Sequence, residues 1–165
     1  WPSDSRQASC RAGIVHVMTQ RPSPDPEFDR RTRDSFAAQA VMAELGVRIV
    51  ELEYGRITLG LRHDRRFTQQ HGYLHAGVLA TVMDSACGYA AFTMMHPDAA
   101  VLTVEYKANL LQPASADGYV VVGEGVRSGR TLTVARATAR AGGSGEPLAV
   151  MTGTLMSLVG ARIRH

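Results

Sequence analysis

Between residues 28 and 62 the apolar positions switch from a period near four to a period of two. Phe36, Ala37, Ala40, Val41 and Leu45 recur at three and four residues before Gly46, which predicts a helix over 28–45 closed by a glycine C-cap. Ile49 then stands against Glu51 and Glu53, while Ile57, Leu59 and Leu61 alternate with Arg56, Thr58, Gly60 and Arg62. That is a two-stranded hairpin turning at Tyr54 and Gly55. A loop over 63–75 leads into residues 76–94, apolar on nearly every side and predicted to form one long helix. A strand from Val101 to Leu110 follows, ended by Pro113. The stretch from Asp117 to Val159 adds three more strands, with turns at Ser128-Gly129-Arg130 and over 142–147.

Four consecutive antiparallel strands cannot bury an apolar face without a second layer, and the helix over 76–94 is the segment apolar enough to supply it. The expectation is therefore an α+β fold, an antiparallel sheet wrapped around one long central helix. At 165 residues the chain suits one domain, placed over 27–165, after a Pro-rich and charge-rich tail at 1–26 that is expected to be disordered. That tail lacks the apolar core of a secretory leader. Val78 to Met95 resembles a membrane span in hydropathy, but Asp84 interrupts it and His75 and His96 bracket it, so a buried helix is expected and no membrane partner.

Charge changes the picture little. The formal net charge is +3, its arginines are dispersed apart from Arg30, Arg31 and Arg33, and aromatic residues make up 6% of the chain. A nucleic-acid groove needs a denser basic stripe with stacking aromatics, so a small anionic ligand is the better match. Cys10 and Cys87 are too few and too far apart for a disulfide framework or a zinc knuckle, and a reducing cytoplasm is the expected location.

Asp84 is the residue that the helix pattern does not explain. On helical spacing it shares its face with Gly77, Ala80, Thr81, Cys87, Gly88 and Ala91, all small. Such a stripe admits another backbone, a partner helix or a slim ligand. A carboxylate at that junction needs a hydrogen-bond donor, and burial should raise its pKa. A purely structural aspartate, satisfied by a backbone or hydroxyl donor, would fit the same spacing. The preceding turn tips the balance: Gln69, Gln70, His71, His75 and the amides at 76–78 converge on the helix N-terminus, where an oxyanion is stabilised. His71 and His75 with Asp64 do not make a zinc signature, and no metal is expected. Cys87 has no histidine placed by sequence to activate it and reads as a core residue.

The segment "LHAGVLATVMDSACGYAA", with "LTVEYKANLLQPA" on the following strand, resembles the hotdog-fold acyl-CoA thioesterases of the phenylacetate-pathway (PaaI-like) type. The resemblance runs from about Phe36 to Val159 and implies a hotdog fold. It further implies that Asp84 is general base or nucleophile, that the N–H of Ala76 binds the thioester carbonyl, and that Gln69, or Gln70 if the loop is shifted, assists. Thr103 would orient the water and His75 would fix the turn, while Gly77, Thr81 and Gly88 would line the substrate site. The implied substrate is an acyl-CoA, and the small residues Ala80, Thr81, Gly88 and Ala91 leave room for an aryl or medium-chain acyl group. Coenzyme A is then part of the substrate and no cofactor is needed, and Arg62, Lys107, Arg127, Arg130 and Arg136 are candidates to meet its phosphates. The resemblance also implies a homodimer joined edge to edge with active sites at the interface, and pairs of dimers forming a homotetramer. Two departures stand out: Leu110 occupies an aromatic position, and Ala76 replaces the first glycine of the turn. A positive φ at Ala76 would cost about 1 kcal/mol or more. The alternative function is a non-catalytic acyl-CoA-binding hotdog protein.

Overall fold

The computed structural model describes residues 25–143 and 145–160. The chain runs α1 (Phe28–Ala37), α2 (Ala40–Glu44), β1 (Arg48–Glu53), β2 (Arg56–Arg62), a 3-10 turn (Arg65–Phe67), α3 (Ala76–Phe92), β3 (Ala99–Leu110), β4 (Gly118–Ser128), β5 (Leu132–Ala141) and β6 (Ala149–Val159). The six strands form one antiparallel sheet in the order β1-β2-β4-β5-β6-β3, and α3 lies along its inner face. This is the hotdog fold, the α+β architecture expected from the apolar pattern.

Burial explains why α3 sits there. Leu79, Val82, Met83, Ala86, Ala90 and Phe92 are buried, so the helix is covered on most of its circumference. The sheet approaches it closely because Gly123 on β4 has no side chain, and a Cβ there would overlap the carbonyl of Ala86. The β1–β2 hairpin turns at Gly55, with φ 76°.

Three boundaries differ from the sequence reading. The single helix expected over 28–45 breaks at Ala38 and Gln39, where Gln39 takes the extended conformation (φ −77°, ψ 100°) and begins α2. Packing causes the break: Phe36 sits edge-on to Tyr89, with ring centroids 5.4 Å apart, and the Gln39 side chain accepts a hydrogen bond from Ser85 on α3 (3.3 Å). Turning there lets Phe36 and Met42 both reach the core, which one straight helix would not. Helix α3 stops at Phe92 rather than Met94, because Thr93 Oγ1 donates to the Ala90 carbonyl (2.8 Å) and accepts from the N–H of Gly55 (2.7 Å), while Arg31 donates to the Phe92 carbonyl (3.1 Å). Strand β3 starts earlier than Val101, at Ala99.

Of the tail expected to be disordered through Pro26, residues 1–24 lie outside the described residues. Asp25 is buried and pairs with Arg31 (2.7 Å). Among the described residues no helix is long and apolar enough to cross a membrane.

The two sheet edges are unlike. Strand β1 is six residues long, carries Arg48, Glu51 and Glu53, and is bulged between Ile49 and Glu51. Those devices blunt an edge against further pairing. Strand β3 is twelve residues long, and residues 102–107 are all exposed, with Leu102, Val104 and Tyr106 each about half exposed.

Candidate active site

The turn before α3 is tied down from both sides. Leu74 N–H donates to the Ala114 carbonyl (2.9 Å), His75 N–H donates to the Phe67 carbonyl (2.9 Å), and Gln69 N–H donates to Tyr73 (2.9 Å). His75 is the N-cap of α3 in extended conformation, and its Nδ1 accepts the N–H of Gly77 (2.9 Å). Its carbonyl takes the N–H groups of Val78 (3.0 Å) and Leu79 (3.2 Å). Of the first-turn amides, this leaves the N–H of Ala76 without a partner among the described residues. That donor stands at the positive end of α3, on an exposed residue. A ring whose Nδ1 accepts is the neutral tautomer with its proton on Nε2, so His75 positions the turn.

Among the described residues no residue other than glycine has positive φ. Ala76 is therefore in an ordinary conformation, and its methyl carries no backbone strain. Gln69 lies beside it, with Oε1 accepting the N–H of His71, so that the amide NH2 is the group left to donate. Gln69, Tyr73, Ala76, Leu79, Leu110 and Leu111 wall a groove of about 380 Å³.

Asp84 sits two turns further along α3, half-buried. Thr103 on β3 donates its hydroxyl to Asp84 Oδ1 at 2.8 Å. Burial holds the Asp84 pKa above the usual carboxylate range, and the Thr103 hydrogen bond pulls it partly back. Thr81 donates to the Gly77 carbonyl (2.8 Å) and so is already satisfied within the helix. Gly88 is buried, yet a Cβ there would meet nothing within 4 Å, which leaves a slot beside the carboxylate. Gly77 is exposed in the first turn. Cys87 is buried, and burial, then the charge of Asp84, pushes its thiol up to about 12, so it supplies no thiolate nucleophile near neutral pH.

A bulge in β3 sets which side chains reach the helix. The register with β6 shifts between Thr103 and Glu105, with Thr103 opposite Leu155, Glu105 opposite Thr154 and Tyr106 opposite Gly153. Strict alternation would put Thr103, Glu105 and Lys107 on one face. The bulge instead turns Thr103 and Tyr106 toward α3 and sends Glu105 and Lys107 to the outer face. Tyr106 thereby joins the helix side of the sheet near Cys87, across Gly153, a placement that the sequence pattern did not reveal.

The remaining candidates disperse. Asp64 caps the 3-10 turn and pairs with Arg66 (2.9 Å) rather than turning to His71. Among the described residues no three or more His, Cys, Asp or Glu side chains gather as metal ligands. Arg136 pairs with Glu124 (2.9 Å) on the outer face. Arg127 near the end of β4 and Arg130 in the β4–β5 turn lie at the end of the sheet away from Ala76, whereas Arg62 ends β2 opposite Gly118, at the end nearer the turn before α3. A larger cleft of about 760 Å³ lies between α1 and the segment 97–100 and holds none of these groups.

A family model described as the thioesterase superfamily matches residues 71–148. A thioesterase family protein from Silicibacter pomeroyi, of known crystal structure, is 55% identical, with 81% of this chain and 99% of that one covered and a TM-score of 0.78. The 1,4-dihydroxy-2-naphthoyl-CoA hydrolase of Listeria monocytogenes is 29% identical over 90 residues, 54% of this chain and 73% of that protein. The E. coli PaaI protein of the phenylacetic acid degradation operon shares the fold at 16% identity, with a TM-score of 0.75 over 82% of this chain and 96% of its own.

Proposed function

This chain belongs to the thioesterase superfamily and is a thioester hydrolase of the hotdog fold, and from that premise we propose that it cleaves an acyl-CoA thioester with Asp84 as base or nucleophile. The observation that carries this reading is the Thr103–Asp84 hydrogen bond of 2.8 Å, which holds a half-buried carboxylate in one orientation on the helix face.

The chemistry divides between two groups. The N–H of Ala76, at the positive end of α3, donates to the thioester carbonyl and stabilises the oxyanion that forms there, and the Gln69 amide donates from the same groove. Asp84 removes a proton from a water held by Thr103, and that proton passes to the departing thiolate. In the alternative course the carboxylate attacks the carbonyl carbon, expels the thiolate, and leaves a mixed anhydride that water cleaves. Either course gains from burial, which makes the carboxylate more basic. His75 holds the turn, while Gly77, Thr81 and Gly88 keep the approach narrow and unobstructed.

The apolar groove wall of Leu79, Leu110 and Leu111, with Tyr73, suits an aryl or medium-chain acyl group. The name of the Listeria relative, which acts on a naphthoyl thioester, favours the aryl end of that range.

One chain does not bring the two groups together. Ala76 and Asp84 are eight residues apart on α3, about 12 Å along its axis at the usual rise. A carbonyl bound at one cannot be reached by a water at the other. The site is therefore built from two copies joined at their β3 edges, Asp84 of one facing the Ala76 turn and Gln69 of the other, and such homodimers pair into a homotetramer. The buried free thiol of Cys87 suits a reducing cytoplasm.

The test is thiol release from aryl, short-chain and long-chain acyl-CoAs, followed with a thiol-reactive dye for wild type and Asp84→Asn. Wild type releases thiol, and the variant, folded and dimeric, loses at least about a hundredfold. Correctly folded wild type that binds acyl-CoA without releasing thiol would instead be a non-catalytic acyl-CoA-binding protein.

A further inference from the structure

The exposed edge of β3 carries its own alignment code. Glu105 and Lys107 both stand on the outer face, opposite Thr154 and Thr152 of β6, and both are exposed. Glu105 is held there by the Thr154 hydroxyl, which donates to its Oε1 at 2.6 Å. Tyr106, between them, faces the helix side. When this strand pairs antiparallel with a second copy of itself, a two-fold axis passes through one residue or between two. An axis between two residues sets an outer-face side chain against a helix-face one, which no continuous sheet accepts.

Charge decides among the rest. An axis at Glu105 sets the two glutamates directly opposite each other, and an axis at Lys107 does the same with the two lysines. Like charges in that position are destabilising. An axis at Ala108 matches Lys107 only with Asn109 and sends Glu105 beyond the end of the strand. An axis at Val104 matches Glu105 with Thr103, which the bulge has turned to the other face. An axis at Tyr106 alone places Glu105 opposite Lys107 of the second copy, twice by symmetry.

We infer that the partner of the β3 edge is a second copy of this chain registered on Tyr106, with Glu105 and Lys107 as the paired charges that set the alignment. This inference rests on the proposed two-copy active site and gives it a geometry. The two Tyr106 side chains meet on the axis, on the helix side, beside the bare backbone of Gly153. Counted outward from the axis, Ala108 comes against the Thr103–Val104 bulge of the second copy and Leu110 against its Val101. That brings the groove of Gln69, Ala76 and Leu110 in one chain to the Thr103–Asp84 pair of the other. Glu105 and Lys107 are positioning residues: they fix how far the base of one copy stands from the carbonyl site of its neighbour, and they touch no substrate.

The experiment uses the whole chain with Cys10→Ser, leaving Cys87 buried, and adds Glu105→Cys, Tyr106→Cys or Lys107→Cys singly. Under mild oxidation Tyr106→Cys forms a covalent dimer at least about tenfold faster than either neighbour, because only its two copies come within disulfide reach. Separately, Glu105→Lys and Lys107→Glu each raise the dimer Kd about tenfold by sedimentation, and the double reversal returns it to near the wild-type value, since it rebuilds both pairs with exchanged signs. Fastest cross-linking at Glu105 or Lys107, failure of the double reversal to restore the dimer, or a monomeric wild type would overturn the register. Neither readout uses hydrolysis, so a protein that pairs as described but releases no thiol contradicts the proposed activity alone, and one that hydrolyses with another cross-linking pattern contradicts the register alone.

Discussion

Replacing Thr103 with valine removes a hydroxyl and nearly keeps the side-chain shape, which isolates the hydrogen bond given to Asp84. A hydrogen bond to an ionised group contributes about 1.5–3 kcal/mol when shielded from water. Thr103 is exposed in the single chain, and solvent screening brings the figure down to about 1 kcal/mol. The sign follows from the two opposing influences on Asp84: burial raises its pKa and the Thr103 bond lowers it, so Thr103→Val raises it further. In the proposed mechanism the working form is the carboxylate, which is lost as pH falls. The acid limb of kcat/KM therefore moves to higher pH in the variant, and on that limb the activity drops about fivefold beyond any loss on the plateau. A lower plateau reports the second task assigned to Thr103, that of holding the water. The assay is a pH–rate profile of thiol release for wild type and variant at low substrate. An acid limb that stays in place, or moves to lower pH, would show that Thr103 does not stabilise the ionised carboxylate.

Three further outcomes follow from the same geometry. Asp84→Asn raises the thermal midpoint at neutral pH: the folded-state pKa lies above the unfolded one, so the native carboxyl loses stability as pH rises through that window, and the gain from asparagine should vanish below it in a pH series of melting curves. Gly123→Ala drives a methyl into the Ala86 carbonyl and forces α3 off the sheet; a cost of about 1–3 kcal/mol, or roughly 2–4 °C in Tm per kcal/mol, is expected in calorimetry, and an unchanged Tm would refute the close approach. In Cys10→Ser protein, Cys87, with its thiol pushed up to about 12, reacts with a thiol dye at mildly alkaline pH far more slowly when native than when unfolded.

Much of the fold was legible because each layer needs the other. Residues 76–94 are too apolar for a surface helix, and four strands with one apolar face need a cover, so the helix-in-sheet arrangement follows from the pattern without knowledge of strand order. Asp84 was legible for the converse reason, a charge where the pattern called for none. Thr103 came from the resemblance, and the structure sets its hydroxyl against that carboxylate across a sequence separation of nineteen residues. The parts that were not legible depend on tertiary contacts. Nothing between Ser35 and Gln39 is a helix breaker; the chain turns there because α1 docks on Tyr89 and Ser85 of α3. Likewise "LTVEYK" alternates without interruption, and only its pairing with β6 shows a bulge that reassigns every side chain after Thr103 to the opposite face.

That bulge has a consequence for the chemistry. A strand in strict alternation could aim Thr103 at Asp84 only by aiming Glu105 and Lys107 at α3 as well, which would bury two charges beside Cys87 and raise the desolvation cost of the carboxylate itself. Inserting one residue at Val104 separates the two demands. Thr103 reaches inward to Asp84, Tyr106 fills the inner side over Gly153, and the charges go to the outer face of the edge strand. The hydrogen bond to Asp84 and the proposed alignment of two copies thus hang on the same irregularity. Deleting Val104 would take out the extra residue and leave Thr103 and Tyr106 on the helix side and Glu105 and Lys107 on the outer face, in the same register with β6. Hydrolysis and dimer register should therefore both survive the deletion, and loss of either would show that Val104 does more than fill the bulge.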